Sequence, residues 1–325
     1  MRILVVGCGS IGQRHLRNLR ALGFSALSAV DPNAGRADAA RAAGAVVHAD
    51  FDHALAAAPD VAMICTPPHL HLDGARAALA AGAHVFVEKP LAAALDGVDD
   101  LLALAERRGR MVGVGYNLRF HPTVQLVKRL VDAGTVGRPL MLRLEFGQYL
   151  PDWRPHQDYR TGYNAHAAMG GGILLDASHE LDCARWLCGE IKGVTAMAAK
   201  LSDLDIDVED AALVHLRFAG GVLGEVHLDS LQRAYARGGK LVGTDGTLVW
   251  DFAEGVRVYD AARRAWHPHP LVANPNDMYI EEIRQFLACV QDGAAPPVSG
   301  HDGRRALEIA LAARVSAREG REVAL

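Results

Sequence analysis

The first twelve residues place the tightest condition on the fold. Ile3, Leu4, Val5 and Val6 form a continuous apolar run of strand length, and Gly7, Cys8, Gly9, Ser10, Ile11 and Gly12 follow at once. Ile11, His15, Leu16, Leu19 and Leu22 then recur at helical spacing until Gly23. Strand, glycine turn and helix in this order leave few folds open. The first glycine makes the tight turn, the second lets backbone approach a pyrophosphate, and the third lets helix pack on strand. The amides and dipole of the new helix then face the phosphates.

A second apolar strand, residues 26–30, ends in Asp31, about twenty residues beyond the glycines. A carboxylate there accepts hydrogen bonds from the adenosine ribose hydroxyls and repels a 2'-phosphate, so NAD is expected over NADP. A structural role, capping the turn at Pro32 and Asn33, competes with that reading. The pattern repeats with a helix over 33–43, a short strand at Val46 and Val47, a helix over 52–58 and a strand over 61–65. Alternating strands and helices predict a doubly wound parallel sheet. Cys65, Thr66, Pro67, Pro68, His69, Leu70 and His71 then form a turn at the carboxyl edge of that sheet, where open α/β sheets bind ligands. His71 is expected to face the cofactor.

After a helix over 72–81, a further apolar run, His84 to Val87, stops at the charged pair Glu88 and Lys89 with Pro90 behind it. Lys89 therefore emerges at the same edge as the glycine turn and Thr66. A rim ion pair and an active-site cation both fit such a stop. A helix over 96–108 and a strand over 111–115 follow, and the chain leaves the sheet through Tyr116, Asn117, Leu118, Arg119, Phe120, His121 and Pro122. Two domains are expected, 1–120 and 121–325.

Bulk properties exclude several functions. The chain has 325 residues, half of them hydrophobic, and a formal charge of -4, with no Lys/Arg run of the kind that tracks phosphates. Neither nucleic acid nor a membrane is an expected partner. The five cysteines are scattered without a CxxC pair, which fits free thiols in a reducing compartment and gives no zinc site. No charged leader or transmembrane-length run is apparent, so a cytoplasmic location is expected.

The second half begins with a helix over 122–131, a strand over 140–147 with one buried face, and an aperiodic polar and aromatic segment, 149–163. Long loops inside compact domains are commonly functional. Tyr149, Trp153, Tyr159 and Tyr163 with Arg154 suit a polyhydroxylated ligand, as do Asn117 and Arg119 at the exit of the first sheet. A lid or a dimer contact also fits the segment. Gly170, Gly171 and Gly172 then open a helix expected over 173–188, which places Asp176 and His179 three apart on one face with Asp182 beyond them. An Asp one turn before a His can hold its ring and tautomer. Short strands joined by Gly-Gly and Asp-Gly turns fill 194–267, and helices follow near 277–290 and 303–319. The second domain reads as α+β with a large, mainly antiparallel open sheet.

The segments at Gly7 to Gly12, Cys65 to His71, Ala81 to Ala92 and Gly115 to Pro122, together with Asp31, occur in the order and spacing of the glucose-fructose oxidoreductase, inositol dehydrogenase and MocA family, which the whole chain resembles. The resemblance implies that Lys89 lies beside the nicotinamide and is catalytic, that Glu88 and Pro90 shape the turn around it, and that Asp176 and His179 complete the catalytic set. Many members separate that Asp and His by four positions, whereas this chain separates them by three. The resemblance also implies a homodimer or homotetramer built on the open sheet face. The expected activity is NAD-dependent oxidation of a secondary hydroxyl on a sugar, cyclitol or nucleotide-sugar. An unperturbed lysine has a pKa of about 10.4, so Lys89 serves more readily as a cation than as the base, which falls to His179. A reductase of an imine, enone or tetrapyrrole, and a non-enzymatic NAD or sugar sensor, are the rival readings.

Overall fold

A computed structural model describes residues 1–271 and 274–325, and the chain divides into two compact units. The first comprises Met1–Asn117 with Asn276–Arg304, the second Leu118–Pro275 with Arg305–Leu325. The first unit holds six parallel strands, β1 (Ile3–Val6), β2 (Leu27–Val30), β3 (Val46–Val47), β4 (Val61–Ile64), β5 (His84–Val87) and β6 (Val112–Val114). Their order, β3-β2-β1-β4-β5-β6, is that of a doubly wound nucleotide-binding sheet. Helices α1 (Ser10–Ala21), α2 (Ala34–Ala42), α3 (Phe51–Ala56), α4 (His71–Ala80) and α5 (Val98–Arg108) connect them. Strands β1 and β4 are buried at every position, which is why they read as unbroken apolar runs.

The second unit begins with α6 (Pro122–Asp132), and β7 (Pro139–Gly147) enters a nine-stranded sheet. After α7 (Ile173–Asp176) and α8 (Ser178–Cys188) come β8 (Ile191–Ala199), β9 (Ala211–Phe218), β10 (Leu223–Asp229), β11 (Ala236–Gly243), β12 (Gly246–Asp251), β13 (Gly255–Asp260) and β14 (Ala265–His269), with β15 (Val323–Ala324) at the chain end. Neighbours are antiparallel except β7 and β10. One face of the sheet buries Leu142, Leu144, Phe146, Val214 and Val226. The opposite face leaves Met141, Met197, Leu213 and Leu223 exposed, interleaved with charged residues such as Arg143 and Glu225.

Two expectations need correction. The helix foreseen over 173–188 is broken at Ala177, whose backbone (φ -99°, ψ 26°) leaves the helical region. The Ser178 hydroxyl donates to the Leu175 carbonyl at 2.9 Å, a local bond that competes with the helical ladder. Asp176 therefore closes one helix while His179 opens the next. The other concerns the chain end. The segment Asn276–Arg304, including α9 (Asp277–Asp292), belongs with the first unit although the sequence reading assigned it to 121–325, because Ile283, Phe286 and Leu287 join the core beneath the parallel sheet. The following helix, α10 (Gly300–Glu319), is divided after Arg304.

His121 caps α6, its Nδ1 accepting the Thr123 N–H at 3.3 Å, and stacks on Phe252 with ring centroids 4.0 Å apart. Burial, with the nearby Arg237 charge, lowers its pKa from 6.5 to about 4. The unfolded chain therefore takes up this proton first as the pH falls. The stability tied to neutral His121 is complete above pH 6.5 and is lost between pH 6.5 and 4, by up to about 3 kcal/mol. Urea unfolding of His121→Gln against the parental protein should show a flatter pH dependence in that window; parallel curves would contradict this assignment.

Candidate functional site

The glycine turn is fixed by contact on two sides. Gly7 has φ +90°, and a Cβ there would lie 2.9 Å from the backbone of Cys65 and Thr66; one on Gly12 would lie 2.0 Å from the Gly7 oxygen. Gly9 differs. Its φ of -67° suits any residue, and an added Cβ would meet none of the described residues within 4 Å. The described residues do not demand glycine at position 9, whereas a ligand lying against the start of α1 would.

Asp31 follows β2, and its carboxylate reaches back to the turn, accepting the Cys8 N–H at 2.7 Å and the Asn33 N–H at 2.8 Å. A carboxylate has about four lone-pair sites, so capacity for ribose hydroxyls is left. Among the described residues Thr66 Oγ1 is buried without a hydrogen-bond partner, as a group awaiting a ligand would be. These features fit a dinucleotide. Burial raises the Cys8 thiol to about 11, helped by the Asp31 charge, and burial pushes Cys65 up as well, so neither is a nucleophile.

Lys89 is half-buried just beyond β5, and the Lys89–Pro90 peptide is cis. Its neighbours are anchored on both sides. Glu88 Oε1 meets His15 Nε2 of α1 at 2.6 Å, with His15 wholly buried. The Glu88 carboxylate thus points at the helix behind the turn. His71, also buried, sets Nδ1 2.8 Å from the Pro90 carbonyl and Nε2 2.7 Å from the Thr66 carbonyl. Burial holds its pKa below the ordinary histidine value, against the two carbonyls, which favour the charged ring. Either way, the ring ties the exit of β4 to the turn carrying Lys89. Asn117 is buried.

In the second unit, Arg119 holds Asp182 of α8 through two bonds, Nε to Oδ2 at 2.8 Å and Nη2 to Oδ1 at 2.6 Å, both side chains almost fully buried. Glu180, which is buried, pairs with the largely buried Arg237 of β11 at 2.7 Å. These two pairs hold α8, whose first turn carries the buried His179. Removing one partner of such a buried pair costs about 3–5 kcal/mol.

The segment 149–163 is folded rather than open. Short 3-10 turns run through it, and Tyr149, Trp153 and Tyr159 pack against a small core that includes Leu150, Leu204 and Ile206. The Arg233 guanidinium lies 3.6 Å from the centroid of the Tyr149 ring, and the Trp153 indole N–H donates to the Gln148 carbonyl. Tyr163 is half-buried. Arg154 donates to Asn164 Oδ1 at 3.2 Å, and Asn164 Nδ2 donates to Asp176 Oδ1 at 2.6 Å. Asn164 had no motif or periodicity to mark it in the sequence, and neither had His15 as the partner of Glu88.

Comparison with known proteins agrees with this geometry. Residues 1–116 match the model of an oxidoreductase family with an NAD-binding Rossmann fold, and residues 124–249 match the GFO/IDH/MocA C-terminal domain. A myo-inositol 2-dehydrogenase of Thermotoga maritima is 32% identical over 345 residues, spanning 100% of this chain and 98% of its own. Among solved structures, a levoglucosan dehydrogenase in complex with NADH and levoglucosan aligns with a TM-score of 0.90 at 25% identity, over 100% of this chain and 99% of that one. GenD2 from gentamicin A biosynthesis, in complex with NAD, aligns at 0.87 with 28% identity, over 100% and 96%.

Because Gly9 has room for a methyl group, Gly9→Ala should fold with an unchanged melting temperature. It should bind NAD at least about tenfold more weakly by calorimetry, a loss of about 1.4 kcal/mol. Parental affinity would place the dinucleotide elsewhere.

Proposed function

The chain belongs to the Gfo/Idh/MocA oxidoreductase family, and from that premise we propose that it oxidises a secondary hydroxyl on a cyclic polyol or sugar with NAD. The observation that carries the reading is the double anchoring of the Lys89 turn, Glu88 on His15 and Pro90 on His71, at the edge of the nucleotide sheet. An ordinary surface ion pair has no need of two buried anchors. The relatives named above act on inositol and bind levoglucosan, which supports a polyhydroxylated ring as the substrate class.

Bound NAD supplies the acceptor for the hydride from the carbinol carbon. In the proposed mechanism the Lys89 ammonium hydrogen-bonds the reacting oxygen and stabilises the negative charge that develops there. His179 takes the hydroxyl proton, and Asp176 holds the imidazole in the receptive tautomer. Asp31 favours NAD, since its carboxylate, already aligned by two backbone amides, accepts ribose hydroxyls and repels a 2'-phosphate.

A panel of cyclitols, anhydrosugars and nucleotide sugars, followed through NADH absorbance, should give at least one substrate. With that substrate, Lys89→Ala should lower kcat by at least about a hundredfold while NAD affinity stays nearly unchanged. Comparable turnover would remove Lys89 from the mechanism. Asp31→Ser should relax the NAD-over-NADP preference by about tenfold or more, equivalent to about 1.4 kcal/mol; unchanged selectivity would discredit the ribose assignment.

A further inference from the structure

We propose that Asn164 and Arg154 are positioning residues for Asp176, with Arg154 acting through the Asn164 amide rather than on the substrate. The inference rests on the reading of Asp176 as part of the catalytic set and adds what holds it. Asn164 is only 5% exposed, so its amide serves the protein interior. Its two ends meet groups of opposite character. Nδ2 donates to Asp176 Oδ1 at 2.6 Å, and Oδ1 accepts from Arg154 Nη1 at 3.2 Å. An ionised carboxylate only accepts and a guanidinium only donates, so the amide has one satisfactory orientation. Flipped, it would set oxygen against carboxylate and NH2 against guanidinium. Arg154 therefore fixes which end of Asn164 faces Asp176, and the aligned dipole favours negative charge on that carboxylate.

The backbone on both sides of the bond is held as well. Gly171, just ahead of α7, packs so tightly on the preceding segment that a Cβ there would lie 2.3 Å from the Tyr163 oxygen and 2.8 Å from the Asn164 oxygen. Arg314 Nη2 donates to the Gly171 carbonyl at 2.5 Å, and Arg314 is in turn paired with Glu209. The glycine run thus locks the start of α7, the four-residue helix that ends in Asp176, against the backbone that carries Asn164. Fixed geometry at both ends is what a positioning contact requires.

The test follows the Asp176 carboxyl directly and then turnover. In protein labelled with 13C at aspartate carboxyls, with the Asp176 signal assigned by its loss in Asp176→Asn, both Asn164→Ala and Arg154→Met should shift the Asp176 titration to higher pH. The cause is loss of a donor, or of its alignment, to the charged form. With the best substrate of the panel, Asn164→Ala should lower kcat about ten- to a hundredfold at neutral pH and move the acid limb of the profile upward. Arg154→Met should do the same to a lesser degree, and the double variant should be no worse than Asn164→Ala alone. If Asn164→Ala fails to fold, the half-buried Arg154→Met carries the same test. An unmoved Asp176 titration in the folded variants, or multiplicative losses in the double variant, would overturn the proposal. Parental turnover by Asp176→Asn would instead overturn the catalytic reading of Asp176; an inactive Asp176→Asn beside unaffected Asn164 and Arg154 variants would overturn the positioning role alone.

Discussion

The first unit depends on the absence of a side chain at Gly12. With any Cβ there, α1 would collide with the Gly7 carbonyl, so the helix could not lie against the turn that starts it. Once it does, α1 presents amides toward the open space beside Gly9 and carries His15 into the interior, where it meets Glu88. A steric condition in the first glycine turn is thereby transmitted to the strand end that bears Lys89. His71 completes the support from α4 by holding the Pro90 carbonyl. The lysine is half-buried between two residues whose positions are set by buried partners, which is the preorganisation that charge stabilisation needs.

The second unit uses charge where the first uses shape. Two buried acids of α8, Glu180 and Asp182, are each held by an arginine from outside the helix. Buried pairs of this kind contribute little net stability compared with apolar packing, yet they define one position for the helix because any displacement strands a charge. His179 lies in the turn they fix. Asp176, on the other side of the break at Ala177, is held separately by Asn164. The two residues lie on either side of a helix break, where one continuous helix face was foreseen from the sequence.

Much of the first unit was legible because its strands are buried on both faces and its turns need glycine, so composition tracks structure residue by residue. The antiparallel sheet was legible for a related reason: one buried face imposes alternation along β7, β9 and β10. Other features left no local trace. Edge strand β14 contains Pro268 and is mostly exposed, so neither apolar alternation nor propensity marks it. The amphipathic pattern of α9 shows that it packs on a core without saying which one. Arg119 is expected from the sequence to be a ligand contact, and no local signal reveals its buried partner Asp182, which lies 63 residues away. The aromatic segment carried the same ambiguity. Its rings stabilise their own fold, a use that composition alone does not separate from ligand binding.

The proposed function turns on direct transfer of a hydride from a carbinol carbon to NAD. The purified protein would be incubated with NAD and with cyclitols and anhydrosugars deuterated at their carbinol carbons, and the recovered NADH analysed by mass spectrometry. One deuterium is expected on the nicotinamide ring, delivered from a single carbon of the substrate. NADH formed without deuterium, or no NADH from any of these alcohols, would contradict it.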